Sequence, residues 1–72
     1  MEAYVLVKTS GPKVRGILEE IRKLDGVVEA HGLYGPYDII VRLRADDLAG
    51  LVVDKMRKIY GVADTMTMIV AL

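Results

Sequence analysis

The feature that most constrains this chain is that it repeats itself. Sliding the sequence by 35 positions lays residues 4–29 over 39–64 without a gap, and matches Leu6 with Val41, Ile17 with Val52, Ile21 with Met56, Arg22-Lys23 with Arg57-Lys58, Leu24 with Ile59 and Gly26-Val27 with Gly61-Val62. Each copy reads as strand, helix, strand. A strand-helix-strand unit is a right-handed crossover between parallel strands, and two interleaved units give a four-stranded antiparallel sheet with both helices on one face.

The element pattern agrees. Residues 3–8 (Ala-Tyr-Val-Leu-Val-Lys) are β-formers stopped by Ser10, Gly11 and Pro12. Val14, Ile17, Leu18, Ile21 and Leu24 then carry the i, i+3, i+4, i+7 stripe of an amphipathic helix, with Pro12 suited to its first turn and Gly26 to the residue past its end. Residues 27–34 and 39–44 read as the second and third strands, joined by Gly35-Pro36-Tyr37-Asp38, whose Gly-Pro pair forbids regular pairing at the tip. Asp46 or Asp47 caps a second helix that aligns Leu48, Leu51, Val52, Met56 and Ile59 and ends at Gly61. A fourth strand starts at Val62 or Thr65 and runs to Leu72. The expected fold is a ferredoxin-like α+β sandwich, βαββαβ, as one domain over residues 1–72.

Composition removes whole classes of function. Ten basic residues offset ten acidic ones, so the chain has no charge with which to hold a phosphate backbone, and direct nucleic-acid binding is disfavoured. There is no Cys and one His, so disulfide staples, thiolate metal sites and multi-histidine centres are excluded. The longest uncharged runs, 30–37 and 65–72, are eight residues each against about 20 for a membrane span. No secretory signal opens the sequence, so the expected address is cytoplasmic. The chain also lacks Asn, Gln, Cys, Trp and Phe, a bias shared with thermophile proteins. With 72 residues one core rarely supplies more than about 3 to 5 kcal/mol, so a partner subunit is expected.

That expectation has a location. Helices cover one sheet face, and a face left in water should alternate apolar with polar. Here the first strand puts Tyr4 and Leu6 on one face and Val5 and Val7 on the other, and the last puts Met66, Met68 and Val70 opposite Ile69 and Ala71. Both faces are apolar near the middle, which points to a homodimer packed sheet against sheet.

No catalytic constellation is present. His31 reads as a polar strand residue without spaced ligand partners, and Asp46-Asp47 as helix-start carboxylates that complement the dipole. Gly11-Pro12 leads into no phosphate-loop run, and Arg22-Lys23, Arg57-Lys58 and the Arg42, Arg44 pair read as solvated faces. The stretch that stands out is Tyr34-Gly35-Pro36-Tyr37-Asp38. Gly35 admits close backbone approach and Pro36 stiffens the turn, while exposed amides beside a carboxylate offer a zwitterion both of the partners it needs. The same residues also read as an ordinary hairpin turn in which Tyr37 packs and Asp38 bonds its own backbone.

The turn Gly35-Pro36-Tyr37-Asp38 followed by Ile39-Ile40-Val41-Arg42-Leu43, the opening 3–7, the Asp25-Gly26-Val27 step and the closing Gly61-Val62 through residues 65–70 resemble the effector-binding domain of the Lrp/AsnC family, also called the RAM domain. The resemblance covers essentially the whole chain. It implies a ferredoxin-like fold, dimers formed through the sheets, larger rings such as octamers, and an amino-acid effector bound between dimers. By position, Gly35, Pro36, Tyr37 and Asp38 would form one wall, with Asp38 or nearby backbone receiving the ammonium group. Thr65, Met66 and Thr67 would face them from another subunit, although Met66 and Met68 also read as adaptable packing residues. Because the resemblance starts at residue three, no helix-turn-helix is expected ahead of it. The implied protein is a stand-alone module that needs no cofactor or metal, is not an enzyme, and assembles with itself or with full-length relatives. The rivals are a small dimeric isomerase or cofactor-free oxygenase working through His31 or Asp38, and a pure protein-interaction module.

Overall fold

The computed structural model describes Met1 to Leu72 as β1 (Glu2–Thr9), α1 (Val14–Arg22), β2 (Val27–Gly32), β3 (Ile39–Arg44), a second helix, α2 (Gly50–Met56), and β4 (Val62–Ile69). The strands form one antiparallel sheet in the order β2-β3-β1-β4. This is the ferredoxin-like sandwich that the repeat predicts. Ala3, Val5 and Val7 of β1 and Ile39, Val41 and Leu43 of β3 turn their side chains to Ile17 and Ile21 of α1 and to Leu51, Val52 and Met56 of α2. With Ala30 and Leu48 these are the thirteen buried residues, and none is polar. The second strand stops at Gly32, two residues short of its sequence reading, because Leu33 N–H turns back to the carbonyl of Asp38 at 2.8 Å. The last strand ends at Ile69 rather than Leu72.

The structure corrects the repeat in one respect. Leu6 and Val41, aligned by the ungapped slide, lie on opposite faces, since Val41 is buried and Leu6 is half-exposed on the outer side. The true offset over the strands is one residue smaller. Ile17 N–H bonds the carbonyl of Lys13, and Leu51 N–H bonds that of Asp47, 34 positions on. By the helix ends the offset is 35, as Leu24 N–H to Ile21 and Ile59 N–H to Met56 show. The extra residue is absorbed inside α2, whose turns are widened to the π form and close with Arg57 N–H on the carbonyl of Val52. A π-turn is how a helix takes in one residue without losing its buried face.

The two halves lock through their glycines. The carbonyl of Gly26 accepts Arg44 N–H and that of Gly61 accepts Ser10 N–H, both at 2.8 Å. Both glycines hold φ near +97 to +98°, and a Cβ would meet Leu51 at Gly26 and Ile17 at Gly61. Asp47, one of the two proposed caps, accepts Gly50 N–H at 2.9 Å, whereas α1 begins without a side-chain cap.

The outer sheet face is divided. Tyr4, Leu6, Ile40, Met66 and Met68 form its apolar half, with Tyr4 38%, Met66 46% and Met68 44% exposed. The other half is ionic. Arg42 lies between Glu2 (3.4 Å) and Glu29 (2.9 Å), Arg44 also reaches Glu2 (3.3 Å), and His31 Nε2 stands 3.2 Å from Glu29. Arg42 is therefore no freely solvated cation, as its sequence position suggested. Its Nε sits at ion-pair distance from Glu29 without the alignment of a hydrogen bond. Partial burial works against its charge, but Glu29, Glu2 and Tyr4 outweigh this and raise its pKa. The hydrogen bond from His31, then the field of Arg42, holds Glu29 below the usual carboxylate range.

Candidate functional site

The segment from Leu33 to Asp38 is held hard at its base and left bare at its tip. Asp38 makes the anchor. Its N–H donates to the carbonyl of Val7 (2.9 Å), its carbonyl accepts Leu33 N–H (2.8 Å), and its Oδ2 accepts both Thr9 N–H (2.8 Å) and the Thr9 hydroxyl (3.0 Å). The end of β1 and the start of β3 are thereby tied through one carboxylate oxygen, while Oδ1 stays free of protein donors. The reading in which Asp38 bonds its own backbone is thus replaced by a bond to a neighbouring strand. Gly35 sits at φ +147° with open space around it, and Tyr34 and Pro36 are exposed. Tyr37 is half-buried, with Lys8 Nζ 5.8 Å from its ring centroid, within cation–π reach.

Beside this anchor runs an open groove of about 620 Å³ between α1 and the β2–β3 turn. Val14, Arg15, Leu18, Glu19 and Arg22 contribute from the helix, and Leu33, Tyr34 and Asp38 from the turn. Arg22 is fixed by donating Nε (3.1 Å) and Nη2 (2.8 Å) to the carbonyl of Ala30, with Nη1 3.3 Å from Glu19. It fastens α1 to β2 while staying partly open to solvent. Arg15 is exposed and pairs with no acid.

Of the seven residues proposed for a ligand site, only Asp38 lines this groove. Gly35, Pro36 and Tyr37 form the turn next to it. Thr65, Met66 and Thr67 lie on β4, across from Val7, Leu6 and Val5, so β1 separates them from the turn. Met66 faces the outer side, and Thr67, across from Val5, is exposed on the helix side. One copy of the chain does not bring the two groups together. Sequence reading missed Thr9, Arg15, Leu18 and Arg22 as neighbours of the turn. The apolar stripe through Val14 and Leu18 was a signal for the groove floor, but nothing in the sequence singles out Thr9. His31 and Asp38 lie apart, the former on the outer face beside Glu29 and the latter against α1.

Residues 2–71 match the model of the Lrp/AsnC ligand binding domain. An uncharacterised HTH-type transcriptional regulator of Pyrococcus abyssi is 36% identical over 73 aligned positions that cover 93% of this chain and 49% of that protein. The chain thus spans about half the length of the curated relatives it matches. Among solved structures, FFRP-DM1 is 34% identical with a TM-score of 0.91, and the match covers 97% of each chain. AsnC of E. coli is 25% identical with a TM-score of 0.87, over 99% of this chain and 50% of that one.

Proposed function

The chain belongs to the Lrp/AsnC ligand-binding domain family, and on that premise we propose that it is an amino-acid-sensing module whose output is assembly. The observation that carries this reading is the turn from Leu33 to Asp38, rigid at its base and exposed at Tyr34, Gly35 and Pro36. A fixed, solvent-facing tip suits a site completed by a second subunit. Thr65, Met66 and Thr67, at the opposite edge of the sheet, meet such a tip only when two copies come together. The apolar half of the outer face, from Tyr4 and Leu6 to Met66 and Met68, is the surface for a homodimer, and larger rings follow from contacts at the turn. Residues 1–72 act as one unit, within the cell, without catalysis or cofactor. The mechanism is linkage: a ligand favours an assembly by no more than its differential affinity for the assembled and free states.

Thermal unfolding in the presence of each of the twenty amino acids tests this. A ligand at 100 times its Kd stabilises by about 2.7 kcal/mol, worth a rise of roughly 10 to 20 °C in a domain of this size. If none raises the melting temperature, the sensing reading fails. A second reading, a pure protein-interaction module, is favoured by the Thr9 bonds, which give Asp38 a structural duty. It predicts self-association with no response to any amino acid. An enzyme reading needs His31 or Asp38 poised in a pocket. His31 is paired to Glu29 on the outer face and one Asp38 oxygen is already taken, so neither supports it.

A further inference from the structure

Gly16 stands inside α1 with no reason for being glycine in its own chain. Its φ is not positive, and a Cβ built there would meet nothing within 4 Å. Glycine weakens a helix more than any residue except proline, so an alanine here would favour the fold. Its counterpart Gly50, 34 positions on, is accounted for, because a Cβ there would strike the Asp47 carboxylate. On either side of Gly16 along the same flank of α1 are Lys13 and Glu20, both exposed and neither paired with a charge of the chain. Seven residues separate them, which is two turns or about 10.5 Å along the helix, too far for them to reach each other. All three line one wall of an open groove of about 570 Å³, and Tyr60, 98% exposed, contributes to the other from the α2–β4 connection.

We propose that this flank docks a second copy of the chain, α1 against α1, antiparallel across a two-fold axis that passes between Gly16 and Ile17. In such an interface residue i meets residue j and j meets i. Lys13 then faces the partner's Glu20, and Glu20 faces the partner's Lys13, so both idle charges are matched by one operation. The missing side chain at Gly16 lets the two helices approach at the short end of the usual 8 to 10 Å, and the exposed ring of Tyr60 lies along the incoming helix. The charge pattern names the occupant. An acidic partner would answer Lys13 alone and a basic one Glu20 alone, whereas a cation and an anion at this spacing in reversed order are what an antiparallel α1 presents. This flank is on the helical side of the molecule, away from the outer sheet face, and the groove beside the β2–β3 turn is lined by other residues of α1. The contact therefore leaves both of those surfaces free and would join one assembly to the next. With two exposed ion pairs and a small area it belongs among weak interfaces.

Sedimentation of the full chain between about 10 µM and 1 mM, the range in which a weak contact is read, tests the proposal. Wild type should show a doubling step in mass near the top of that range, and the step should fade as salt rises from about 50 to 500 mM. Lys13→Glu and Glu20→Lys each turn two attractions into two repulsions by symmetry, and each should weaken the step at least about 10-fold. An equal mixture of these two variants should associate as wild type does, because opposite charges again face each other across the axis. Gly16→Ala should raise the melting temperature of the dilute subunit by roughly 4 to 8 °C and yet weaken the step, which separates association from folding. Absence of the step in wild type overturns the proposal, and so does a step indifferent to either charge reversal or a mixture that stays as dissociated as its components. A Gly16→Ala chain that associates as well as wild type overturns the close approach at that residue. None of these results bears on the sensing reading, which the amino-acid screen decides alone.

Discussion

Asp38→Ala probes the anchor of the turn directly. The substitution removes the oxygen that accepts Thr9 N–H at 2.8 Å and the Thr9 hydroxyl at 3.0 Å, and it leaves a half-buried backbone donor without its partner. Hydrogen bonds to a charged group contribute about 1.5 to 3 kcal/mol each when well buried. Both bonds share one oxygen and the site is partly open to water, so a loss of about 2 kcal/mol for the pair is the appropriate size. In a chain of 72 residues this lowers the melting temperature by roughly 8 to 16 °C, at about 4 to 8 °C per kcal/mol. Thr9→Val removes only the hydroxyl bond and should cost about half as much, because the backbone N–H still reaches Asp38. The double variant supplies the decisive comparison. Once Asp38 is gone, Thr9→Val has nothing left to break, so its further cost should fall to within roughly 0.5 kcal/mol of zero. Circular-dichroism melts at one fixed protein concentration read all four proteins, the concentration held constant because association itself shifts the midpoint. If Asp38→Ala melts with wild type, or if the two substitutions simply add, the carboxylate is not what ties β1 to β3.

Three further outcomes follow from other parts of the fold. Gly26→Ala and Gly61→Ala should be destabilised alike, each by about 1 to 2 kcal/mol for the backbone conformation alone, since both hold φ near +97 to +98° and a Cβ would come to 2.8 Å of Leu51 Cδ2 or 2.6 Å of Ile17 Cδ1; a melt in which one variant is unaffected would break the equivalence of the halves. Leu6→Lys puts a charge at the centre of the apolar half of the outer face and should give monomers in sedimentation velocity at micromolar concentration with an unchanged circular-dichroism spectrum, and a persisting dimer would rule out sheet-to-sheet packing. Glu29, held below the ordinary carboxylate range by His31 and Arg42, contributes stability above the unfolded value of about 4.3, and this is lost as pH falls through its folded value. Urea midpoints between pH 7 and 3 should therefore drop less steeply for Glu29→Gln than for wild type, and identical slopes would refute the contribution.

The sheet was readable from the sequence because its inner face is periodic. Val5 and Val7 against Val41 and Leu43 can only point one way once both helices are placed, and the two glycines mark the same turn in each half. The offset between the halves reads one residue too long over the first strands for a physical reason. Ile17 has two buried counterparts, Leu51 and Val52, so hydrophobicity alone does not decide which of them it matches. The decision lies in the backbone bonds of α2, where a widened turn takes up the extra residue. The turn from Tyr34 to Asp38 was visible as an anomaly, yet its anchor was not, because Thr9 is 29 positions away and its partnership with Asp38 exists only after β1 and β3 pair. Arg22 was hidden in the same way. A lysine-arginine pair on a helix reads as solvated until β2 brings the carbonyl of Ala30 beneath it.

These long-range ties bear on how a ligand could alter assembly at all. The residues that line the groove beside Asp38 all belong to one chain, so a ligand held by them alone would bind the free subunit and the assembly equally and shift nothing. Coupling requires that a second copy touch the ligand or the turn. The residues available for that contact are Tyr34, Gly35 and Pro36, which no part of their own chain covers. Their base cannot follow a ligand freely, because Asp38 is bonded to Val7 and Thr9 of β1, the strand that carries Tyr4 and Leu6 on the outer face. A ligand that engages Asp38 Oδ1 therefore bears on the tip of the turn through a short stiff link.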